Sequence, residues 1–169
     1  MRTLSQRPAS DTITVSLRPA RPDEAAFLTQ LCLRSKASWG YDEEFMAACR
    51  SEAVLTPEIV GGSSVMVAEI DGRVTGMVQL IVRNSRAELD KLFVEPECLK
   101  SGIGRALLDW AKVEAYGAGA TALFVEADPY AADFYRHCGA VDVGSVASSL
   151  FAGRFLPRLK FPLSAQGSR

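Results

Sequence analysis

An Asp-Gly pair at residues 71–72 constrains the fold of this 169-residue chain more strongly than its other short patterns. The stretches Ser64–Ile70 and Arg73–Arg83 on either side are predicted as strands, and Asp-Gly between two strands is the strongest short-range signal for a β-hairpin. Asn84-Ser85 predicts a second tight turn before a strand at 87–94. Three consecutive strands joined by tight turns are antiparallel, so this hairpin-rich first half argues against a doubly wound parallel sheet.

Helical and strand patterns continue on both sides of these hairpins. Before the hairpins they predict a strand at 13–18, a helix from Pro22 that ends before Gly40 and a helix from Asp42 to about 52. After the hairpins they predict a helix from Gly102 to about 116, a strand at Ala122–Glu126 and a helix capped by Asp128 that ends near 137. A strand around 141–146 and a last strand at 159–163 follow. The segment 87–126 is a strand–helix–strand crossover, which is parallel. A mixed sheet with helices on both faces is therefore expected.

Composition limits the function classes. At 48% hydrophobic and 23% charged residues the chain can bury a sizeable core. A net charge of −1 gives no reason to expect nucleic acid or a membrane as partner, and no apolar stretch is long enough to span a bilayer. We expect a cytoplasmic protein with one domain at 12–163, a disordered N-terminus at 1–11 and a flexible tail at 164–169.

The cysteines and the single histidine predict no metal site. Cys32, Cys49, Cys98 and Cys138 form no C-x-x-C pair, and His137 is alone. Structural and catalytic zinc need clusters of such ligands. We expect all four cysteines to be reduced and His137 to lie exposed at a helix end.

A glycine-containing loop between a strand and a helix is the predicted anion site. Its residues are Leu99-Lys100-Ser101-Gly102-Ile103-Gly104-Arg105-Ala106. The two glycines let the backbone approach an anion, and the free N–H groups of the first helical turn point at it, assisted by the helix dipole. Lys100 and Arg105 add positive charge. The loop is neither a Walker loop nor a full dinucleotide fingerprint, since Leu107 occupies the third glycine position.

Two segments carry a resemblance to a known family. The segment 96–108 resembles motif A of the GNAT superfamily of acetyl-coenzyme A-dependent N-acetyltransferases, Q/R-x-x-G-x-G/A, with Leu99 where Gln or Arg is usual. The segment 128–140 resembles the family's N-x-x-A-x-x-F-Y-x-x-x-G-F, with Asp128 in place of Asn and Ala140 in place of Phe. The resemblance implies the fold class α/β (α+β): a GNAT-like mixed, mostly antiparallel sheet of six to seven strands with helices on both faces.

The resemblance also implies which residues bind acetyl-coenzyme A. In the family the pantetheine arm pairs with the strand backbone like an added strand, and the loop holds the pyrophosphate. The residues at these positions are Leu92, Phe93, Val94, Leu99, Lys100, Ser101, Gly102, Ile103, Gly104, Arg105, Ala106, Asp128, Ala131, Phe134 and Tyr135.

Acetyl transfer to an amine needs a proton donor for the departing thiolate and an acceptor for the ammonium proton. Tyr135 lies where the family places a tyrosine near the thioester sulfur, and it is our candidate acid. The alternative is a tyrosine that only packs beside Phe134. Glu88 and Asp90 are the candidate bases, because residues 88, 90, 92 and 94 are expected to share one face of the strand that leads into the loop. The alternative is a pair of surface carboxylates.

The acceptor pocket is predicted from the junction of the first two helices and from the C-terminal region. Trp39 and Tyr41 lie where the family commonly places acceptor-lining aromatics, with core anchoring as the alternative. Arg154 lies in a G-R-x-L-P segment that resembles a bacterial GNAT subgroup of unknown acceptor, and it is a candidate for binding an acceptor carboxylate. This region is also a candidate dimer contact, so a homodimer is one expectation.

Three functions follow in order of preference. The first is N-acetyltransferase action on a primary amine of a small molecule or amino-acid-like acceptor, with a protein N-terminus or lysine as a further acceptor. The second is a non-catalytic coenzyme A-binding sensor or partner module, which would need neither Tyr135 nor the two carboxylates. The third is another nucleotide-using enzyme such as a methyltransferase, which the antiparallel first half opposes.

Overall fold

A computed structural model of the chain describes residues 13–165. The predicted disorder of residues 1–11 lies outside this range, and so does the predicted flexible tail except for Ser164 and Ala165. These expectations and the domain boundaries stay predictions.

Seven strands and five helices make up the described part of the chain. The strands are β1 (Val15–Pro19), β2 (Ser64–Ile70), β3 (Arg73–Arg83), β4 (Arg86–Val94), β5 (Ala122–Glu126), β6 (Val141–Ala147) and β7 (Phe155–Pro162). The helices are α1 (Ala25–Ala37), α2 (Glu43–Ala53), α3 (Pro57–Gly62), α4 (Ile103–Gly117) and α5 (Ala132–His137), with 3₁₀ turns at Pro22–Glu24 and Pro96–Cys98.

The seven strands form one sheet in the order β1-β2-β3-β4-β5-β7-β6. All neighbours are antiparallel except β4 and β5. The predicted mixed, mostly antiparallel sheet is therefore confirmed, and the doubly wound alternative is wrong. The hairpin between β2 and β3 turns at Asp71 (φ 51°) and Gly72 (φ 77°), and two successive left-handed residues are the signature of a type I′ turn.

Two apolar cores lie on opposite faces of the sheet. On one face α4 presents Leu107, Leu108, Ala111 and Ala115, all fully buried, to β3, β4 and β5. On the other face α1 buries Leu28 and Leu31 with β2 and β3. The prediction of helices on both faces is confirmed.

Gly76 in β3 sets how closely α4 approaches the sheet. A Cβ atom there would lie 2.9 Å from Ile103 Cγ2, 3.1 Å from Leu107 Cδ1 and 3.2 Å from the Phe93 carbonyl oxygen. The start of α4 therefore rests directly on the β3 backbone, which fixes the position of the preceding loop.

Strands β4 and β5 are paired only at their beginnings. Their parallel register consists of Arg86↔Ala122, Ala87↔Leu123 and Glu88↔Phe124, and β4 continues to Val94 without a strand on that side. We call this unpaired stretch of β4, residues 89–94, the open seam. It begins near the middle of the sheet and leads to the loop before α4.

Several predicted boundaries are wrong for identifiable reasons. Helix α3 was not expected, although Thr56 caps it by accepting from the Ile59 N–H and Pro57 is its first residue. Asp128 is not a helix cap, because α5 begins only at Ala132 and the Asp128 carboxylate instead accepts from the Tyr130 N–H in a tight turn. The last strand is Phe155–Pro162 rather than 159–163, and the first begins at Val15.

A β-bulge at Asp90 overturns the predicted face of strand β4. Gln79 pairs with Lys91 and Leu80 with Leu89, so Asp90 is an extra residue without a partner on β3. Because a bulge shifts the alternation of side chains by one, Leu92 and Val94 join Ala87 and Leu89 in the core beneath α4. Residues 88, 90, 92 and 94 therefore do not share one face.

Candidate active site

One large cleft runs along the open seam, with a volume of about 760 Å³. Its lining includes β4 residues Leu89 to Phe93 on one side and Val125 to Asp128, after β5, on the other. Cys32, Lys36 and Trp39 from α1 and the segment after it close one end of the cleft, together with the loop between β6 and β7.

The glycine loop lies where β4 runs into α4. Lys100 and Gly102 both have left-handed backbone conformations, with φ of 63° and 87°. Nothing lies within 4 Å of the Cβ position of Gly102, so its requirement for glycine comes from its backbone angle rather than from space. The Ser101 hydroxyl donates to the Cys98 carbonyl, which closes the loop. These turns leave the first N–H groups of α4 at an open helix end.

The loop side chains are placed differently from one another. Leu99 is 44% exposed, and Arg105 is half exposed with only a 3.9 Å ion pair to Asp109. Ile103 is fully buried in the core, so it offers a ligand only its backbone.

The two sequence motifs meet at Gly104. A Cβ atom on Gly104 would lie 3.3 Å from Phe134 Cζ and 3.8 Å from Val94 Cγ2. The second motif therefore packs on the start of α4 through the ring of Phe134. A small residue is required at 104 because that ring occupies the space a side chain would need.

Tyr135 follows Phe134 on α5 and lines the cleft, although it is 5% exposed. Burial raises the pKa of its phenol above the ordinary value of 10.0. Its ring contacts Phe134 and Phe161 edge-on, at centroid distances of 5.2 and 6.3 Å. The side chain is therefore fixed, protonated at neutral pH and adjacent to the open seam.

Glu88 and Asp90 both line the cleft, in different settings. Arg86 Nε and Arg158 Nη2 donate to the same oxygen of Glu88, Oε1, at 3.0 and 2.9 Å. Within residues 13–165, Glu88 Oε2 has no hydrogen-bond partner. Asp90 is 42% exposed at the bulge and accepts from Lys91 Nζ at 2.8 Å. Glu88 is thus held in place with one oxygen free, whereas Asp90 lies at the surface.

An ion cluster that sequence reasoning missed surrounds Asp128. The hydroxyl of Tyr41 donates to both carboxylate oxygens at 2.9 and 2.8 Å, and Arg154 Nη2 lies 3.3 Å from Oδ2. Lys36 Nζ is 3.7 Å away, and the Asp128 side chain is only 11% exposed. Asp128 therefore links α1 and the segment before α2 to the last residue of the β6–β7 loop, Arg154. Its tyrosine, arginine and lysine partners are separated from it by 26 to 92 residues, so no local pattern indicates the cluster.

Stacked aromatic rings support this cluster. Tyr41 stacks on Phe45 at 3.9 Å, and Phe45 stacks on Phe151 of the β6–β7 loop at 4.5 Å. The Arg154 guanidinium lies over Phe45 at 4.7 Å. Trp39 lines the cleft and stacks on Tyr130 at 6.1 Å. Of the three predicted acceptor residues, Trp39 and Arg154 line the cleft, whereas Tyr41 lies behind them.

Comparison with known families identifies the protein class. The sequence profile described as "Acetyltransferase (GNAT) domain" matches residues 21–149, which is more than half of the chain. The chain belongs to the GNAT acetyltransferase family. A search of curated protein sequences finds no significant match.

Solved structures of GNAT proteins share the fold at low sequence identity. A GCN5-related N-acetyltransferase from Rhodopseudomonas palustris is 24% identical with a TM-score of 0.75, covering 89% of this chain and 96% of its own. PaiA N-acetyltransferase from Thermoplasma acidophilum, solved with coenzyme A, is 16% identical with a TM-score of 0.73, covering 89% and 99%. YncA from Salmonella typhimurium, a putative acetyltransferase solved with acetyl-CoA, is 19% identical with a TM-score of 0.64, covering 89% and 95%.

Residues 13–165 of the GNAT chain contain neither a membrane-spanning helix nor a cluster of metal ligands. No helix there is long and apolar enough to cross a membrane. No group of three or more histidine, cysteine, aspartate or glutamate residues is arranged to hold a metal ion. The four cysteines are unpaired thiols.

Proposed function

We propose that this GNAT protein is an N-acetyltransferase that moves the acetyl group of acetyl-coenzyme A directly to a primary amine of a small or amino-acid-like acceptor. The observation that carries the proposal is the open seam, which runs from the glycine loop to a buried, protonated tyrosine. Acceptor identity, cytoplasmic location and a homodimer stay predictions.

The chain's residues fit coenzyme A at the glycine loop. Left-handed Lys100 and Gly102 turn the backbone so that the first N–H groups of α4 face outward, and the helix dipole favours a pyrophosphate there. The exposed Arg105 side chain adds charge at the same end. Leu99 supplies no polar contact, so the loop relies on its backbone.

The open seam fits an extended pantetheine arm. Residues 89–94 of β4 have no strand partner on the β5 side, so their backbone groups are available for strand-like hydrogen bonds with amide groups of a ligand. Leu92 and Phe93 line this path. Acetyl-coenzyme A, when bound, supplies an acetyl group activated as a thioester.

Tyr135 and Glu88 are proposed to handle the two protons. The Tyr135 phenol is protonated at neutral pH, as an unshifted tyrosine also would be, and it can donate its proton to a departing thiolate. Glu88 Oε2 is free to accept the ammonium proton, directly or through a water, while Arg86 and Arg158 hold Oε1. Asp90 is the second candidate base, and its surface position makes it the weaker one.

Calorimetry with acetyl-coenzyme A, followed by thiol release across a panel of amines, tests the proposal. The Gly102→Ala variant should bind acetyl-coenzyme A at least about 10-fold more weakly, because alanine disfavours a φ of 87°. Gly62→Ala, at a glycine with open space and no left-handed angle, is the matched control. Absence of binding by the wild-type protein would overturn the proposal. Binding without turnover of any amine would instead favour a coenzyme A-binding sensor, which no structural observation favours at present.

A further inference from the structure

Within residues 13–165, one half of the sheet has a face that no helix covers. Helices α1 to α3 lie over β1–β4, and α4 and α5 pack on the opposite face, where Leu123, Val125 and Leu159 are buried. The alternate residues of β5 and β7 therefore point to the uncovered side. This surface carries four cations and one aromatic ring, and we call it the basic face: Arg83, Arg86, Phe124, Arg158 and Lys160.

Three of the four cations surround the ring of Phe124. Arg86 lies 4.4 Å, Arg158 4.8 Å and Lys160 Nζ 6.0 Å from its centroid. The strand register explains this arrangement, since Phe124 pairs with Lys160 on β7 and with Glu88 on β4, two residues from Arg86. Cation–π contacts with this ring therefore keep the three cations close together.

Carboxylates neutralise only part of this charge. Arg158 bridges Glu88 and Glu126 at 2.9 and 3.1 Å, and Arg86 shares Glu88. Among the residues that the structure describes, neither Arg83 nor Lys160 has an ion-pair partner. Two carboxylates therefore face four cations, which leaves a net positive surface.

Arg83 and Arg86 are an unfavourable pair in the protein alone. They are direct cross-strand partners at the end of the β3–β4 hairpin, and like charges directly opposite each other destabilise a sheet. The Arg86 guanidinium lies over Phe124 and is paired with Glu88, so within residues 13–165 Arg83 is the member of the pair without a carboxylate, and an anion beside it would offset the repulsion.

The basic face is continuous with the candidate active site. Arg83, Arg86, Glu88 and Glu126 line the cleft, and Glu88↔Phe124 is the last paired row before the open seam. Arg154, in contrast, is already bonded to Asp128 and Tyr41. A ligand carboxylate would therefore find unpaired cations at Arg83 and Lys160 rather than at Arg154.

We infer that the basic face binds carboxylate groups of the acceptor, so that the acceptor amine belongs to an acidic molecule such as an acidic amino acid or short acidic peptide. This inference rests on the proposed function for the reacting amine. The carboxylates lie beside Arg83, Arg86 and Lys160, and the amine extends along the cleft toward Tyr135.

The test compares acceptors that differ only in charge. Thiol release is measured with glycyl-aspartyl-aspartate against glycyl-asparaginyl-asparagine, and with L-glutamate against L-glutamine. The wild-type protein should prefer the acidic member by about 10-fold or more in kcat/KM, falling as salt is added. The double variant Arg83→Gln/Lys160→Gln should raise KM for the acidic acceptor about 10-fold and leave its kinetics with the neutral one unchanged.

The control removes the same charge elsewhere. Arg21→Gln/Arg50→Gln changes two arginine side chains that are 62% and 56% exposed and lie outside the basic face. It should keep the wild-type preference, and neither double variant should change the affinity for acetyl-coenzyme A. No acidic preference in the wild type, or a preference that survives in Arg83→Gln/Lys160→Gln, would overturn the inference.

A binding measurement separates this inference from the proposed function. Glycyl-aspartyl-aspartate is titrated calorimetrically into the protein with coenzyme A present, which requires no turnover. Binding that is lost in Arg83→Gln/Lys160→Gln supports the basic face even if no amine is acetylated. Equal binding by both proteins, or binding by neither, counts against it.

Discussion

At the scale of single residues, Tyr135 combines burial with access to the cleft. Its side chain is 5% exposed and is held between Phe134 and Phe161. The position of this phenol beside the open seam is the observation that favours the proposed acid over a tyrosine that only packs.

Replacing Tyr135 by phenylalanine keeps the ring and removes the proton. We expect Tyr135→Phe to lower kcat by at least about 10-fold with little change in KM for acetyl-coenzyme A, because general-acid catalysis contributes about 10²–10⁴-fold. Tyr116→Phe, at a 45% exposed tyrosine on α4, is the control and should leave kcat unchanged. An unaltered kcat in Tyr135→Phe, under conditions where chemistry limits the rate, would assign the residue to packing.

Ionisation of the Cys32 thiol is expected to lower the free energy of unfolding at alkaline pH. Burial raises the pKa of its thiol from 9.0 to about 12, and the residue is 1% exposed. Below pH 9 the thiol is protonated in both the folded and the unfolded chain. Between pH 9 and about 12 the unfolded chain ionises first, so the free energy of unfolding falls as pH rises, by about 1.4 kcal/mol per unit for a full pKa difference.

Urea unfolding at pH 8 and pH 10.5 measures this effect. The decrease in the free energy of unfolding should be smaller in Cys32→Ala than in the wild type. In Cys98→Ala, at a less buried thiol, the free energy of unfolding should decrease between these two pH values by nearly as much as in the wild type. Identical pH dependence in all three proteins would show that Cys32 ionisation is not coupled to folding.

Local patterns can indicate candidate residues whose special geometry lies in the backbone or in one motif. Gly102 needs a left-handed angle and Gly104 needs space beside Phe134, and both requirements appear as glycines in a short segment. The Asp128 cluster has no such signature. Its partners Lys36, Tyr41 and Arg154 come from distant segments, so only the folded chain brings them together.

At the scale of elements, the contact between α4 and β3 depends on the absence of a side chain at Gly76. We expect Gly76→Ala to destabilise the protein by about 1–3 kcal/mol, because the added methyl would meet two core side chains and a backbone carbonyl. Affinity for acetyl-coenzyme A should fall as well, since the start of α4 is displaced. Thermal unfolding and calorimetry measure the two effects.

Gly62→Ala is the control for this prediction. It lies at the end of α3, where nothing is within 4 Å of the Cβ position. Its unfolding temperature should match the wild type or rise slightly. Equal stability of the two variants would mean that α4 adjusts to the methyl group without loss.

Elements with strong end signals could be predicted, and irregularities within them could not. The Asp71-Gly72 turn allowed the bounds of β2 and β3 to be predicted to the residue, although the pairing of the two strands shifts by one residue at Thr75. The bulge at Asp90 has no comparable signal in the sequence, because the position of an extra residue is set by the pairing of β3 with β4. This bulge moved Leu92 and Val94 to the opposite face, and the predicted grouping with Glu88 failed for that reason.

At the scale of the whole molecule, a ligand that joins β4, the glycine loop and α5 should stabilise the entire fold. Acetyl-coenzyme A at 100 times its Kd contributes about 2.7 kcal/mol, which corresponds to a rise in Tm of about 5–10 °C for a chain of this length. Thermal unfolding with and without ligand measures the rise. ADP lacks the pantetheine arm and should give a smaller shift, whereas equal shifts would show that the open seam takes no part in binding.

The open seam is also a stretch of unpaired strand backbone that lies away from the two outer borders of the sheet. Unpaired strand backbone is a template for aggregation, and natural sheets protect it at their outer borders with charge, twist or short length. Here such backbone lies within the sheet, between β4 and the diverging end of β5, with α1 above and α4 below. The helices on both faces stand between this backbone and the edge of another sheet, whereas an extended ligand can follow the cleft to it. The fold can therefore offer strand backbone to a ligand without exposing it at an outer edge of the sheet.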